Sequence, residues 1–160
     1  MRNLNRGDLP GLTRVLHDTG AFTEAEIDCA VELLQIVLDD PRQQDYIVAV
    51  AGEEGAPIGY ILYGPVPLTE GNFDIYWIAT DPAVQGSGIG RQLMAHAEDD
   101  ARSRGARIVC LETSSQGGYE RTRRFYDKGG YLEESRIRDF YKPGDDRITY
   151  VKRFSHGKEE

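Results

Sequence analysis

The sequence predicts an α/β domain built on one mixed sheet, and three stretches carry that reading. Residues 73–80 are aromatic and β-branched and end at the breaker Asp81-Pro82, as a strand closed by a turn requires. A glycine-rich run follows, Gln85-Gly86-Ser87-Gly88-Ile89-Gly90-Arg91, after which Ile89, Leu93, Ala97 and Ala101 recur with helical spacing up to Gly105. Residues 108–113 are then near-continuously apolar, as expected of a central strand parallel to its predecessor. Strand, helix and parallel strand form a crossover unit, and the remaining strands supply antiparallel neighbours.

The other elements follow in chain order. Residues 8–17 form a helix, with Asp8 near Pro10 at its start. A second helix spans 23–38: Thr23-x-x-Glu26 is a capping box, and Ile27, Val31, Leu34 and Leu38 make an apolar stripe. Asp39-Asp40-Pro41 stops it. Residues 46–51 and 58–63 are strands of a hairpin around Gly52-Glu53-Glu54-Gly55. After the central strand come a helix over 119–128, a strand over 131–137 and a last strand over 147–154. The turn-rich segment 139–146, with Pro143-Gly144 at its centre, links these two strands. No repeat, linker or low-complexity tract interrupts the chain, so residues 1–160 read as a single domain, long enough to bury a proper core.

Composition narrows the function. No apolar run approaches the ~20 residues of a membrane span, and the first six residues lack the apolar stretch of a signal peptide. Cytoplasmic residence is the expectation. The net charge of −8 repels phosphate backbones and argues against a nucleic-acid partner. Cys29 and Cys110 share no metal-type spacing and are expected to be buried free thiols. His17, His96 and His156 are scattered, which speaks against a zinc site. The Glu159-Glu160 tail is expected to fray. A homodimer is the general expectation for a soluble enzyme.

The glycine-rich run marks the candidate site. A tight turn opening a helix points several backbone N–H groups outward, and the helix dipole adds roughly half a positive charge there, which suits a phosphate or diphosphate. The spacing is neither that of a dinucleotide fingerprint nor that of a Walker loop, which wants a Lys after the last Gly. It is Q-x-x-G-x-G, which resembles the acetyl-CoA signature (Q/R-x-x-G-x-G/A) of the GNAT superfamily of N-acetyltransferases. A second match lies one βα unit downstream, where Phe125-Tyr126-Asp127-Lys128-Gly129-Gly130-Tyr131 resembles the family's FY-x-x-x-G-F/Y segment. The resemblance covers about residues 45–154. It implies a GNAT-like fold whose central parallel strands splay around acetyl-CoA, the co-substrate, with an amine as the acceptor. The family's first strand would have to fit within residues 1–5, so it is expected to be short or missing.

By the same resemblance, Gln85, Gly86, Ser87, Gly88, Ile89, Gly90 and Arg91 cradle the diphosphate, and the main chain of Ile78, Ala79 and Thr80 holds the pantetheine arm. Tyr126 stands where the family places a tyrosine near the cofactor sulfur. Many members carry Asn seven residues before it, whereas this chain has Tyr119; Thr122 is a substitute source of a hydroxyl. Arg91, Arg121, Arg123 and Arg124 either supply a local positive patch or solvate a helix face.

The chemistry required is nucleophilic attack by an amine on a thioester. A primary amine of pKa ~10.4 is only about 0.04% neutral at pH 7, so a base or a water relay is needed. Glu112, near the end of the central strand, and Asp74, in the preceding one, are the candidate bases, because a carboxylate buried in a strand is costly without a role or a partner. A phenol holds its proton more tightly than a thiol, by about 2 kcal/mol, so Tyr126 is expected to stabilise the leaving thiolate by a hydrogen bond. No cysteine lies in either motif, which favours direct attack in a ternary complex over an acyl-enzyme. Two alternatives stand beside this reading. One is a non-catalytic acyl-CoA-binding sensor; the other is an acetyltransferase acting on aminoacyl-tRNA, which the acidic balance opposes. Which amine is the acceptor is set by variable loops.

Overall fold

Alternating apolar side chains build the sheet and decide which helices cover each face. A computed structural model describes residues 1–155. Its strands are β1 (Arg2–Asn3), β2 (Ile47–Glu53), β3 (Ala56–Pro65), β4 (Asn72–Thr80), β5 (Ile108–Ser114), β6 (Leu132–Lys142) and β7 (Asp145–Arg153). Its helices are α1 (Leu9–Asp18), α2 (Glu24–Asp39), α3 (Ile89–Ser103) and α4 (Glu120–Lys128). One seven-stranded sheet runs in the order β1-β2-β3-β4-β5-β7-β6. The β4–β5 pair is parallel and the other pairs are antiparallel, so the sheet is mixed as expected.

Strand β2 shows the sorting. Val48 and Val50 pack with Leu12, Leu16 and Leu34 of α1 and α2. Ala49 and Ala51, pointing the other way, pack with Leu93, Ala97 and Ala101 of α3 and Tyr126 of α4. The stripe expected on α3 is therefore its buried face. The expected capping box on α2 also forms, with Thr23 Oγ1 accepting from the Glu26 N–H (3.2 Å) and Glu26 Oε2 accepting from the Thr23 N–H (2.7 Å). The first strand is present but only two residues long, paired with β2 through Arg2–Val50 and Asn3–Ala49.

Several local expectations are corrected. Helix α1 starts beside Asp8 as expected, but the Asp8 side chain does not bond the helix amides; fully buried, it accepts two hydrogen bonds from the Arg2 guanidinium at 2.7 and 2.8 Å. Cys29 is exposed, not buried. The buried face of α2 runs through Ile27, Ala30 and Leu34, and position 29 is about 200° around the helix from Ile27. Cys110 is partly buried, and both thiols are free. The segment 139–146 is mostly strand rather than loop, because Pro143-Gly144 alone turns the chain, with Gly144 at φ +81°. His156 and the Glu159-Glu160 tail lie outside the described residues.

Candidate active site

Strands β4 and β5 are hydrogen-bonded neighbours for three residue pairs only: Asn72–Ile108, Phe73–Val109 and Asp74–Cys110. Beyond Asp74, β4 continues beside β3 alone, with Ile78, Ala79 and Thr80 opposite Ile61, Tyr60 and Gly59. Strand β5 continues beside β7, from Leu111–Tyr150 to Ser114–Arg147. The two parallel strands therefore part, as the resemblance implied. The edge of β4 that faces the gap keeps its backbone groups free of ladder partners. A cleft of about 260 Å³ opens there, lined by Asp74, Ile75, Tyr76, Leu111, Glu112 and Tyr141.

A bulge shapes the β4 wall. The register runs from Tyr63–Ile75 directly to Leu62–Trp77, so Tyr76 has no Cα partner on β3. Strict alternation groups Trp77 with Phe73 and Ile75. Instead, Phe73 and Ile75 join the α3 side, while both Tyr76 and Trp77 pack toward the α1–α2 side. Trp77 meets Phe22 at a 5.4 Å ring separation, and Tyr76 meets Tyr46 at 5.4 Å.

The glycine turn lies just beyond the end of β4. Asp81 Oδ1 accepts from the Ala83 N–H (3.0 Å) and starts a 3-10 turn over Pro82–Val84. Gly86 (φ +82°) and Gly88 (φ +89°) then turn the chain into α3 through left-handed conformations, and neither Cα has a heavy atom within 4 Å of where a Cβ would stand. The first helical bond is donated by the Gln92 N–H to the Gly88 carbonyl, so the amides of the opening turn remain available. Gln85, Gly86, Ser87, Gly88 and Arg91 are exposed, while Ile89 and Gly90 are half-buried beside Phe125. The Ser87 hydroxyl donates to the Val84 carbonyl. The turn is open, anchored and lined with donors. That is the geometry a diphosphate needs.

The sequence-derived arginine patch is only partly realised. Arg121 Nη1 donates to Gln85 Oε1 at 3.0 Å, which ties α4 to the turn. Arg123 instead bonds the carbonyls of Ser114 and Gln116 (2.9 and 2.8 Å), bracing the end of β5. Arg124 pairs with Glu120 one helical turn back (2.8 Å). Arg91 stays exposed at the start of α3.

Tyr126 is buried on α4 among Phe125, Tyr131 and Tyr150, with ring separations of 5.6, 6.2 and 6.0 Å. It belongs to the same apolar cluster as Ile75 and Leu111, which line the cleft. Burial first, and then neighbouring Tyr119, push its phenol well above the ordinary value. Tyr119 is half-buried and donates its hydroxyl to the Ala21 carbonyl (3.3 Å), and Thr122 is half-buried.

The two candidate bases differ more than their sequence positions suggest. Asp74 is half-buried, and its carboxyl is raised above the usual range by burial and then by the like charge of Glu112. Glu112 is exposed and ion-paired to Arg147 Nη2 at 3.3 Å. The expectation that it is a buried strand carboxylate is thus corrected, because at the end of β5 its side chain faces the open cleft. Sequence reasoning missed Tyr76, Tyr141 and Arg147 as site residues. Tyr141 lies in the turn-rich segment 139–146, and only the hairpin register carries it to the cleft. Arg147 holds its guanidinium carbon 4.7 Å from the Phe140 ring centre.

Comparison with known proteins agrees with this architecture. A family model described as the acetyltransferase (GNAT) family matches residues 13–131. The chain belongs to the GNAT family of acetyltransferases. A crystal structure of a protein assigned to the GNAT acetyltransferases of Desulfovibrio desulfuricans is 40% identical, with a TM-score of 0.89 over 96% of each chain. The fold is shared at lower identity by the ribosomal-protein-S18-alanine N-acetyltransferase of Escherichia coli (20% identity, TM-score 0.77, 99% and 96% of the two chains). It is shared too by the PaiA N-acetyltransferase of Thermoplasma acidophilum, solved with coenzyme A (20% identity, TM-score 0.74, 96% and 97%). A search of curated proteins found no sequence match. As a GNAT enzyme this acetyltransferase takes an acyl-CoA as co-substrate. Among the described residues no helix is long and apolar enough to cross a membrane, and no group of His, Cys, Asp and Glu has a metal-binding arrangement.

Proposed function

We propose that this GNAT enzyme transfers the acetyl group of acetyl-CoA to a primary amine by direct attack within a ternary complex. The observation that carries the reading is the parting of β4 from β5 after three residue pairs, next to an open, donor-lined turn at the start of α3. The residues fit the co-substrate. The amides of Gly86, Gly88, Ile89, Gly90 and Arg91 suit the diphosphate, and the free edge of Ile78, Ala79 and Thr80 suits the amides of the pantetheine arm, as in strand addition.

The reaction forms a C–N bond between the amine and the thioester carbonyl carbon and breaks the C–S bond. The ammonium gives up two of its three protons, one to the base and so to solvent and one that ends on the thiolate, so the products are an amide and free CoA. Asp74 takes the role of general base. Burial and then the like charge of Glu112 raise its proton affinity above that of an ordinary carboxylate, which strengthens it as a base. Tyr126 holds its proton tightly, so it acts as a hydrogen-bond donor to developing negative charge on sulfur rather than as a full acid.

Replacing Gly88 tests the cradle. Its φ of +89° is one that side-chain-bearing residues rarely adopt, although the space around it is empty. Acetyl-CoA is expected to raise the Tm of the wild type, and Gly88→Val to abolish that rise while the variant still melts cooperatively. An undiminished rise would remove the turn from the cofactor site.

A further inference from the structure

We propose that the acceptor is a small aliphatic diamine or polyamine, an amine carrying a second, permanent positive charge a few carbons from the reacting one. The proposal rests on the acyl-transfer reading above and concerns what enters that same cleft.

The lining is acidic and aromatic. Asp74, Glu112, Tyr76 and Tyr141 supply its polar walls, Ile75 and Leu111 its apolar floor. Glu112 is half exposed, and its partner among the described residues, Arg147, stands at 3.3 Å while also stacking on Phe140 at 4.7 Å. The charge acting on Asp74 is that of Glu112, of its own sign. The rim adds more of the same character. Tyr46 lies edge-on to Tyr76 at 5.4 Å, and the charges of Asp45 and Asp145 reach Tyr76 and Tyr141 respectively. Phenol faces beside carboxylates suit an ammonium, which gains from both.

Such a lining creates a difficulty that a second ammonium removes. The reacting nitrogen must lose a proton before it can attack, yet a field of carboxylates favours its protonated form. A monoamine would bring a single ammonium to Asp74 and Glu112, with only Arg147 to offset them from the Glu112 side, and would be held in the unreactive state. A diamine leaves one ammonium against Glu112 and the phenols, offsets the acidic field there, and frees the other nitrogen to give its proton to Asp74. The volume of about 260 Å³ falls just below the usual range of ligand pockets, roughly 300–1,000 Å³, and suits a short chain rather than a bulky ring system.

Three acceptors on one carbon chain separate the possibilities: diaminobutane, butylamine and aminobutanoate, with ammonium, methyl and carboxylate at the far end. Thiol release from acetyl-CoA is followed for each, alongside calorimetry of acetyl-CoA binding. The expected kcat/KM for diaminobutane exceeds that for butylamine by roughly tenfold or more, as one charge-assisted contact provides, with aminobutanoate lowest. Glu112→Gln is expected to bring the diamine-to-monoamine ratio toward unity, mainly through KM. Equal use of diaminobutane and butylamine by the wild type, a preference for aminobutanoate, or an unchanged ratio in Glu112→Gln would overturn the proposal. Normal acetyl-CoA binding with no turnover of any of the three would overturn it too. Absence of acetyl-CoA binding would instead bring down the acyl-transfer reading, and this proposal with it.

Discussion

In the proposed mechanism Tyr126 and Asp74 divide the proton traffic, and their surroundings say how. The phenol is enclosed by three aromatic rings, so removing its hydroxyl leaves packing almost intact. Tyr126→Phe is expected to lower kcat by roughly 10²-fold, the scale of one well-placed donor or acid, with little change in acetyl-CoA affinity by calorimetry. Equal turnover would reduce the residue to core packing. For Asp74 the test is pH. Its carboxyl is raised by burial and by Glu112, and it works only when ionised, so activity should climb as pH rises through that raised value. Glu112→Gln removes the like charge, lowers the Asp74 value, and should move the acidic limb of kcat/KM to lower pH. A limb that stays in place would mean that Asp74 is not the base.

Among the elements, β1 shows how a two-residue strand is kept. Arg2 holds Asp8 with its two terminal guanidinium nitrogens and also donates to the carbonyls of Gly52 and Glu53 in the β2–β3 hairpin. Asp8 further accepts from the N–H groups of Asn5 and Gly55 at 3.0 and 3.3 Å. One carboxylate thus joins the N-terminus, the turn before α1 and the hairpin tip. Asp8→Ala is expected to cost about 1.5–3 kcal/mol, the range for hydrogen bonds to a charged group, read as a lower denaturation midpoint. The sign with pH follows from the direction of the shift. The hydrogen bond from Arg2, chiefly, holds the Asp8 carboxyl below its ordinary value. Its stabilisation is therefore complete above the unfolded value near ~3.9 and is lost as pH falls through the folded one. The gap between variant and wild type should shrink in acid. The β6–β7 hairpin is a second case: residues 138–141 stand opposite Asp146 alone, with Asp139 at φ +56° and its N–H donated to Asp146 Oδ1 (3.0 Å). That irregularity is what presents Phe140 and Tyr141 beside the cleft.

For the whole molecule, the order of elements and the glycine turn were legible in the sequence because they rest on local chemistry. Glycine spacing, the α3 stripe and the Thr23–Glu26 box report on neighbours a few residues away, and each formed as read, while the α2 stripe formed only at Ile27 and Leu34 among its buried residues. The acceptor side was less legible, since it depends on register. A single extra residue at Tyr76 reverses the face of Trp77, and periodicity alone contains no sign of it. The exposure of Glu112 and the arrival of Tyr141 likewise follow from which strands adjoin, and adjacency here joins β5 to β7 and passes over β6. Long-range pairing of this kind leaves little trace in a single chain.

The way β4 and β5 separate also bears on how such a protein can afford a binding slot at all. Hollowing a pocket out of a packed interior forfeits van der Waals contacts on every wall. Here the two rails merely diverge past their third rung, and the groove falls between layers already completed by other neighbours. The interior stays full. Side chains along the groove are thus free to change with the molecule to be modified, while the frame that aims the reaction carries none of the burden.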